Sequence, residues 1–168
     1  MDLSIRLGDL VKMVGWFNNK PVISIVGKKE ASIRFKMPHS PFTVLINESQ
    51  FIECMHQIGL NLQYLFFYDI PASKIGVFIE RSPPHLKLDL KELARKILEI
   101  LMKINPEFET NSTSDVPIQV YFVAKDAFTN WAVYKADAIG TKSTNQIKLP
   151  RVALNDDTVE YFKSKVLN

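Results

Sequence analysis

Seven cations and one tryptophan near the start of the chain are the first residues whose types and spacing point to chemistry. Residues 1–37 hold Arg6, Lys12, Lys20, Lys28, Lys29, Arg34 and Lys36 against three acids, Asp2, Asp9 and Glu30. Phosphate binding needs cations on a common surface, and binding of single strands adds aromatic platforms on which bases stack. Strand alternation can put Lys12 and Trp16 on one face and Arg34 and Lys36 on one face. If the strands are neighbours, these residues form one basic surface with Lys20, Lys28 and Lys29 at its rim. The plainer alternative is the wet outer face of a half-buried antiparallel sheet. A second aromatic set, Phe66, Phe67, Tyr68, Phe78, Tyr121, Phe122 and Tyr134, could add stacking, although strand aromatics ordinarily fill cores.

Enzyme chemistry finds less to work with. A metal-dependent nuclease needs an acid followed by Glu-x-Lys on the next strand. Asp69 and Glu80 fall on adjacent strand-like segments, but Glu80-Arg81-Ser82 lacks the lysine. Asp126 and Asp137 flank another such region without a completing motif. His39, His56 and His85 are scattered, and Cys54 and His56 are two apart, a spacing that does not share a helix face. No glycine-rich phosphate loop, G-x-S-x-G or H-E-x-x-H occurs. No catalytic residue, metal or cofactor is therefore expected.

The elements that would position the cations read clearly. Residues 9–17 are a strand, Asn18-Asn19-Lys20 a turn, and 22–26 a second strand opened by Pro21. Gly27-Lys28-Lys29 is a further turn. Residues 30–37 alternate, with Ile33, Phe35 and Met37 one way and Ser32, Arg34 and Lys36 the other. Phe42–Ile46 is a fourth strand. Asn47 with Gln50 three residues on is a capping box, and Gly59 fits the end of the helix it starts. A hairpin follows over 62–70 and 74–80. Asp89 or a neighbour caps the clearest helix, 89–104. Its stripe is Leu90, Leu93, Ala94, Ile97, Leu98, Leu101 and Ile104. Residues 105–116 read as a polar loop. Strands are expected at 117–124, 131–139 and about 147–149, then a helix capped by Asn155.

Composition bounds the class. The chain has 168 residues, 46% hydrophobic, with a net charge of +3. That suits one α+β domain, with possible subunits at 1–60 and 61–168, largely antiparallel sheet and about three helices. One cysteine excludes an internal disulfide. The start MDLSIRLGDLVK does not read as a signal peptide, and no apolar run approaches the ~18 residues of a membrane span. Sequons at Asn47 and Asn111 are of chance frequency in a chain that reads as cytoplasmic, nuclear or virus-encoded.

Two local echoes suggest an internal repeat. Phe17-Asn18-Asn19-Lys20-Pro21-Val22 is echoed by Phe128-Thr129-Asn130-Trp131-Ala132-Val133. Val44-Leu45-Ile46-Asn47-Glu48 is echoed by Val152-Ala153-Leu154-Asn155-Asp156. The pattern predicts two ββββα units, the second interrupted by the helix at 89–104. Two such units resemble the single-stranded-DNA-binding PC4 and Whirly families. Within residues 17–26, Lys20, Ile23 and Ile25 match the PC4-like strand–turn–strand wording. Asn19 stands for its glycine, Ser24 for its acid and Val26 for its arginine. The resemblance implies an architecture and single-stranded nucleic acid as ligand.

The leading expectation is a non-enzymatic binder of single-stranded DNA or RNA. Trp16 would stack on bases, and Lys12, Lys20, Lys28, Lys29, Arg34 and Lys36 would hold phosphates. A protein-interaction or assembly protein, as an accessory protein or homo-oligomer, is the alternative, and a divergent nuclease the third. No membrane is expected as a partner.

Overall fold

The computed structural model describes residues 9–28, 31–36, 43–59, 62–80, 89–108, 116–141, 144, 147, 149–153 and 155–167, with backbone alone over 9–12 and 24–28. The architecture is α+β. The order is β1 (Asp9–Phe17), β2 (Lys20–Lys28), β3 (Ser32–Lys36), β4 (Thr43–Asn47), α1 (Glu48–Ile58), β5 (Tyr64–Asp69), β6 (Lys74–Glu80), α2 (Leu90–Ile104), β7 (Ile118–Val123), α3 (Ala127–Ala138) and α4 (Asp156–Lys163).

The centre is a three-stranded sheet in the order β5-β6-β7. β5 and β6 form an antiparallel hairpin, and β7 joins β6 in parallel after the α2 crossover. Both faces of this sheet are buried, so β5 and β6 read YLFFYD and KIGVFIE with no polar alternation. One face sends Tyr64, Phe66, Ile75, Val77, Ile79, Ile118 and Val120 into a core completed by α1, α2 and the β3–β4 ribbon. The other sends Leu65, Phe67, Phe78 and Val123 against α3 and α4, which contribute Phe128, Trp131 and Phe162. The period of two thus divides consecutive apolar residues between two cores.

Local signals fix the helix ends. Asn47 Oδ1 accepts the Gln50 N–H at 3.0 Å, and Gln50 Oε1 accepts the Asn47 N–H at 3.0 Å, so the capping box is complete. Gly59 ends α1 at φ 75°, a left-handed position open to glycine. Asp89 caps α2 through the Lys91 N–H, and the expected stripe of α2 is buried at Leu93, Ala94, Ile97, Leu98 and Leu101 and half-buried at Leu90 and Ile104. In β3, Ile33 and Phe35 are buried while Arg34 and Lys36 are exposed, as alternation predicts. Met37 lies outside the described residues.

Three expectations are corrected. Residues 131–139, read as a strand, belong almost wholly to helix α3, one of four helices among the described residues. Residues 147 and 149 lie outside any strand, and the nearby pairing is a single bridge from Val152 to Phe66. Among the described residues the second half therefore runs ββαβαα, without a second ββββα unit. The letters echoed between Phe17–Val22 and Phe128–Val133 form a hairpin turn in one place and a helix in the other. The physical reason is tertiary. A carboxylate oxygen of Glu80 lies 3.3 Å from the Phe128 N–H, an end-of-helix donor that Asp126 does not cap with its own side chain.

The two N-terminal hairpins are separate two-stranded sheets. The β3–β4 ribbon lies on the first core through Ile33, Phe35, Val44 and Ile46. Its middle is tied by Asn105, whose Nδ2 donates to the Leu45 carbonyl at 3.2 Å. Short segments also line the outer strands of the central sheet. Arg151–Ala153 bond to β5 through Phe66, and Lys165–Leu167 bond to β7 through Phe122 and to Ala124 just beyond it. Such cover removes the open edges that invite wrong pairing.

Gly76 shows how tightly the sheet is packed. It pairs with Phe67, and a β-carbon placed on it would lie 2.1 Å from the Phe67 ring. That ring also stacks on Phe78 at 4.5 Å. Gly76→Ala should therefore destabilise the fold by about 1–3 kcal/mol, the usual cost of overpacking a core. Chemical denaturation of the variant beside the parent chain measures it, and an unchanged midpoint would show that the ring has room to move.

Candidate interaction surface

The β1–β2 hairpin is the most unusual surface of the molecule. Its strands pair antiparallel around the two-residue turn Asn18-Asn19, with Phe17 opposite Lys20 and Trp16 opposite Pro21. Both turn residues have left-handed backbone, φ 49° and 59°, as tight two-residue hairpin turns require. Asparagine tolerates that region better than other non-glycine residues. A register shift between Met13 and Gly15 leaves Val14 without an opposite residue, a bulge that breaks the alternation.

Six large apolar side chains of this hairpin are exposed: Met13, Val14, Trp16, Phe17, Val22 and Ile23. Trp16 and Phe17 are 66% and 69% exposed. They are consecutive in a strand, so they project from opposite faces. A ribbon lying on its own core would hide one face. Over its described side chains this hairpin presents apolar groups on both.

The expected nucleic-acid residues fall into three groups. Trp16 and Lys20 are both exposed at the hairpin tip, but Lys20 lies opposite Phe17 and Trp16 opposite Pro21, so the two project from opposite faces. Arg34 and Lys36 are exposed on β3, in a different sheet. Lys12 and Lys28 are placed by backbone alone, opposite Ser24 and Asp9. Lys29 lies outside the described residues. The strands carrying Lys12 and Trp16 therefore do not share a sheet with those carrying Arg34 and Lys36.

The other sequence candidates have ordinary roles. Phe66, Phe67 and Phe78 are fully buried. Glu80 is used at the start of α3, Asp69 pairs opposite Lys74, and Asp137 is exposed on α3. Among the described residues no three His, Cys, Asp or Glu converge as metal ligands would. His56 is exposed in the last turn of α1; His39 and His85 lie outside the described residues. Arg151 joins both ends of the chain. Its N–H donates to Glu48 at 3.1 Å, and its guanidinium lies 4.6 Å from the Tyr64 ring centre. Burial pushes the Tyr64 phenol up, and the Arg151 cation opposes that rise.

One surface group was missed from sequence because α3 was read as a strand. Tyr134 stacks on Tyr161 at 5.5 Å, with Lys135 against Tyr134 and Lys165 against Tyr161. Reading 127–138 with helical spacing would have placed Tyr134 and Lys135 one turn beyond Trp131, at i+3 and i+4.

Comparison with known proteins adds one finding. No family model matches the sequence, and neither does any curated protein. The fold is similar to part of two solved acyl acid amido synthetase structures. A solved GH3.15 acyl acid amido synthetase superimposes with a TM-score of 0.63 over 96% of this chain and 30% of its own, at 14% identity. The AtGH3.15 acyl acid amido synthetase in complex with 2,4-DB gives 0.57 at 13% identity, with the same coverage. The likeness is one of fold, and this chain spans less than a third of the length of those it matches. Among the described residues no helix is long and apolar enough to cross a membrane.

The buried cysteine gives a measurable property. Cys54 is fully buried, and its Sγ lies 3.7 Å from the Ile97 carbonyl. Burial, helped by the charge of Glu53, pushes its thiol up to about 12 from an ordinary value of 9.0. The unfolded chain ionises first. The stabilising difference is whole below pH 9 and is lost as pH rises from 9 towards 12. Cys54→Ala should flatten the fall in stability across that interval in denaturant titrations. A thiol reagent at pH 8 should label the parent chain only when denaturant is added.

Proposed function

We propose that this chain is the smaller domain of a protein built like an acyl acid amido synthetase. In this reading it serves the joining of an acyl acid to an amine, together with a larger remainder. One observation carries the reading: the likeness runs over 96% of this chain and takes up only 30% of the solved chain. A unit of this fold is thus a minor part of the synthetase it resembles. The chemistry gives such a part useful work. A carboxylate is a poor electrophile until activated, and water then competes with the amine. A second domain contributes by excluding water and by holding the amine in line.

A second reading is favoured by the tip of the hairpin. Exposed Phe17 opposite exposed Lys20, with Trp16 exposed on the other face, offers the aromatic-plus-cation combination that single-stranded nucleic acid uses. Arg34 and Lys36 would add phosphate contacts from the neighbouring ribbon.

Two measurements separate these readings. The chain purified from its native cells under mild conditions should bring with it a polypeptide of synthetase fold, adjoining or separate. The preparation should form amides from acyl acids and amines, read by mass spectrometry. A homogeneous 168-residue chain with no amide product would end the domain reading. Nucleic-acid binding instead predicts retardation of a labelled oligonucleotide at low salt. That binding should weaken steeply with salt and be lost on charge reversal at Arg34 and Lys36. No retardation at low salt would end the second reading.

A further inference from the structure

We propose that the β1–β2 hairpin is the surface by which this chain docks into the remainder of the synthetase-type protein, with Trp16 and Phe17 inserted into an apolar cleft rimmed by acidic side chains. The inference rests on the domain reading above and names its contact.

The hairpin needs cover. An isolated two-stranded ribbon is marginally stable in water. Among the described residues nothing pairs with the outer edge of β1 or β2. Elsewhere the chain provides cover for its central sheet, through Arg151–Ala153 on β5 and Lys165–Leu167 on β7. The turn that displays the tip is a tight one, with Asn18 and Asn19 both left-handed. Trp16 and Phe17 are thus held by strand pairing, which lowers the ordering cost of binding.

Both faces of the hairpin carry apolar side chains, and this distinguishes insertion from docking on a flat surface. Trp16 and Phe17 are consecutive, as are Val22 and Ile23, so each pair projects from both faces, and Met13 and the bulged Val14 add further apolar surface. A flat partner would cover one member of each pair and leave the other in water. A cleft closing on the hairpin from both sides covers all six. Aromatic side chains at the centre of an interface with a polar rim are the usual anchors of binding.

The identity of the occupant follows from coverage and charge. The 4% of this chain outside the structural likeness is about 7 residues, against 20 in residues 9–28. Most of the hairpin therefore belongs to the shared unit, and in the solved synthetase that unit is part of a chain more than three times as long. A second copy fits less well. Residues 9–28 hold Lys12, Lys20 and Lys28 against Asp9 alone, so apposing two hairpins brings like charges together, whereas an acidic rim complements them.

The test places a photo-crosslinking phenylalanine analogue at position 16 of the full chain in its native cells. Position 70 serves as control, because Ile70 is 70% exposed at the β5 end of the β5–β6 turn. Crosslinking from 16 and not from 70 to a polypeptide of synthetase fold supports the proposal. Crosslinking from 16 to a second copy or to nucleic acid overturns it, as does equal crosslinking from both positions or none from 16. Trp16→Asp combined with Phe17→Asp should reduce recovery of that polypeptide at least tenfold while leaving the thermal unfolding of the chain unchanged. If the synthetase-type polypeptide co-purifies but neither position 16 nor the double variant affects it, the hairpin proposal fails alone. If nothing of that fold co-purifies, the domain reading fails with it.

Discussion

The structure depends on a sheet that is buried on both faces. Phe66 and Phe67 are consecutive in β5 and both fully buried, each in a different core. Fully burying a side chain of that kind contributes about 1.5–3 kcal/mol, so a strand that does it on both sides is worth twice a surface strand of equal length. The arrangement also creates an obligation. Each face needs its own cover, and the chain supplies α1, α2 and β3–β4 on one side and α3 and α4 on the other. Gly76 is part of the same constraint, since the Phe67 ring lies where a side chain on β6 would otherwise stand.

The connections between distant segments follow from that obligation. Glu48 opens α1, donates its N–H to Ala31 at 2.9 Å and accepts the N–H of Arg151. One residue thus ties the β3–β4 ribbon, the first helix and the segment that lines β5. On the opposite edge, Leu167 donates to the Phe122 carbonyl and Ala124 to the Lys165 carbonyl. These bonds satisfy backbone groups on the outer strands, where unmade bonds would be costly.

Most of this order is legible in the sequence, and the reason is that its signals are local. The Asn47–Gln50 box, Gly59, Asp89 and the alternation of Ile33, Arg34, Phe35 and Lys36 each act over a few residues, and each appears where spacing places it. Helix α3 was not legible. Its residues include Trp131, Val133 and Tyr134, which suit strands by propensity. What makes it a helix lies outside it: Glu80, 48 positions from Phe128, meets its first turn, and Phe162 stacks against both Phe128 and Trp131. The candidate surface was legible in part. Composition locates the N-terminal cations, but alternation cannot tell whether two hairpins join edge to edge, and here they form two sheets. Nor can composition show that Trp16 and Phe17 both remain exposed, because that depends on what the hairpin lies against.

The basic character of the N-terminal third acquires a different meaning beside those exposed side chains. Lysines on open strands are a common means of preventing edge-to-edge association. Lys12, Lys20 and Lys28 belong to a two-stranded sheet whose outer edges no other described strand pairs. Its apolar side chains favour association with something, and its charges disfavour association with itself. That combination selects for a partner of opposite charge, whether a phosphate backbone or an acidic rim. The two classes of partner differ in what they do with the apolar groups. Bases stack on aromatic faces and leave Met13, Val14, Val22 and Ile23 largely unaccounted for, whereas a protein cleft uses all of them. The aliphatic residues of the hairpin, more than its lysines, are what the proposed protein cleft would cover.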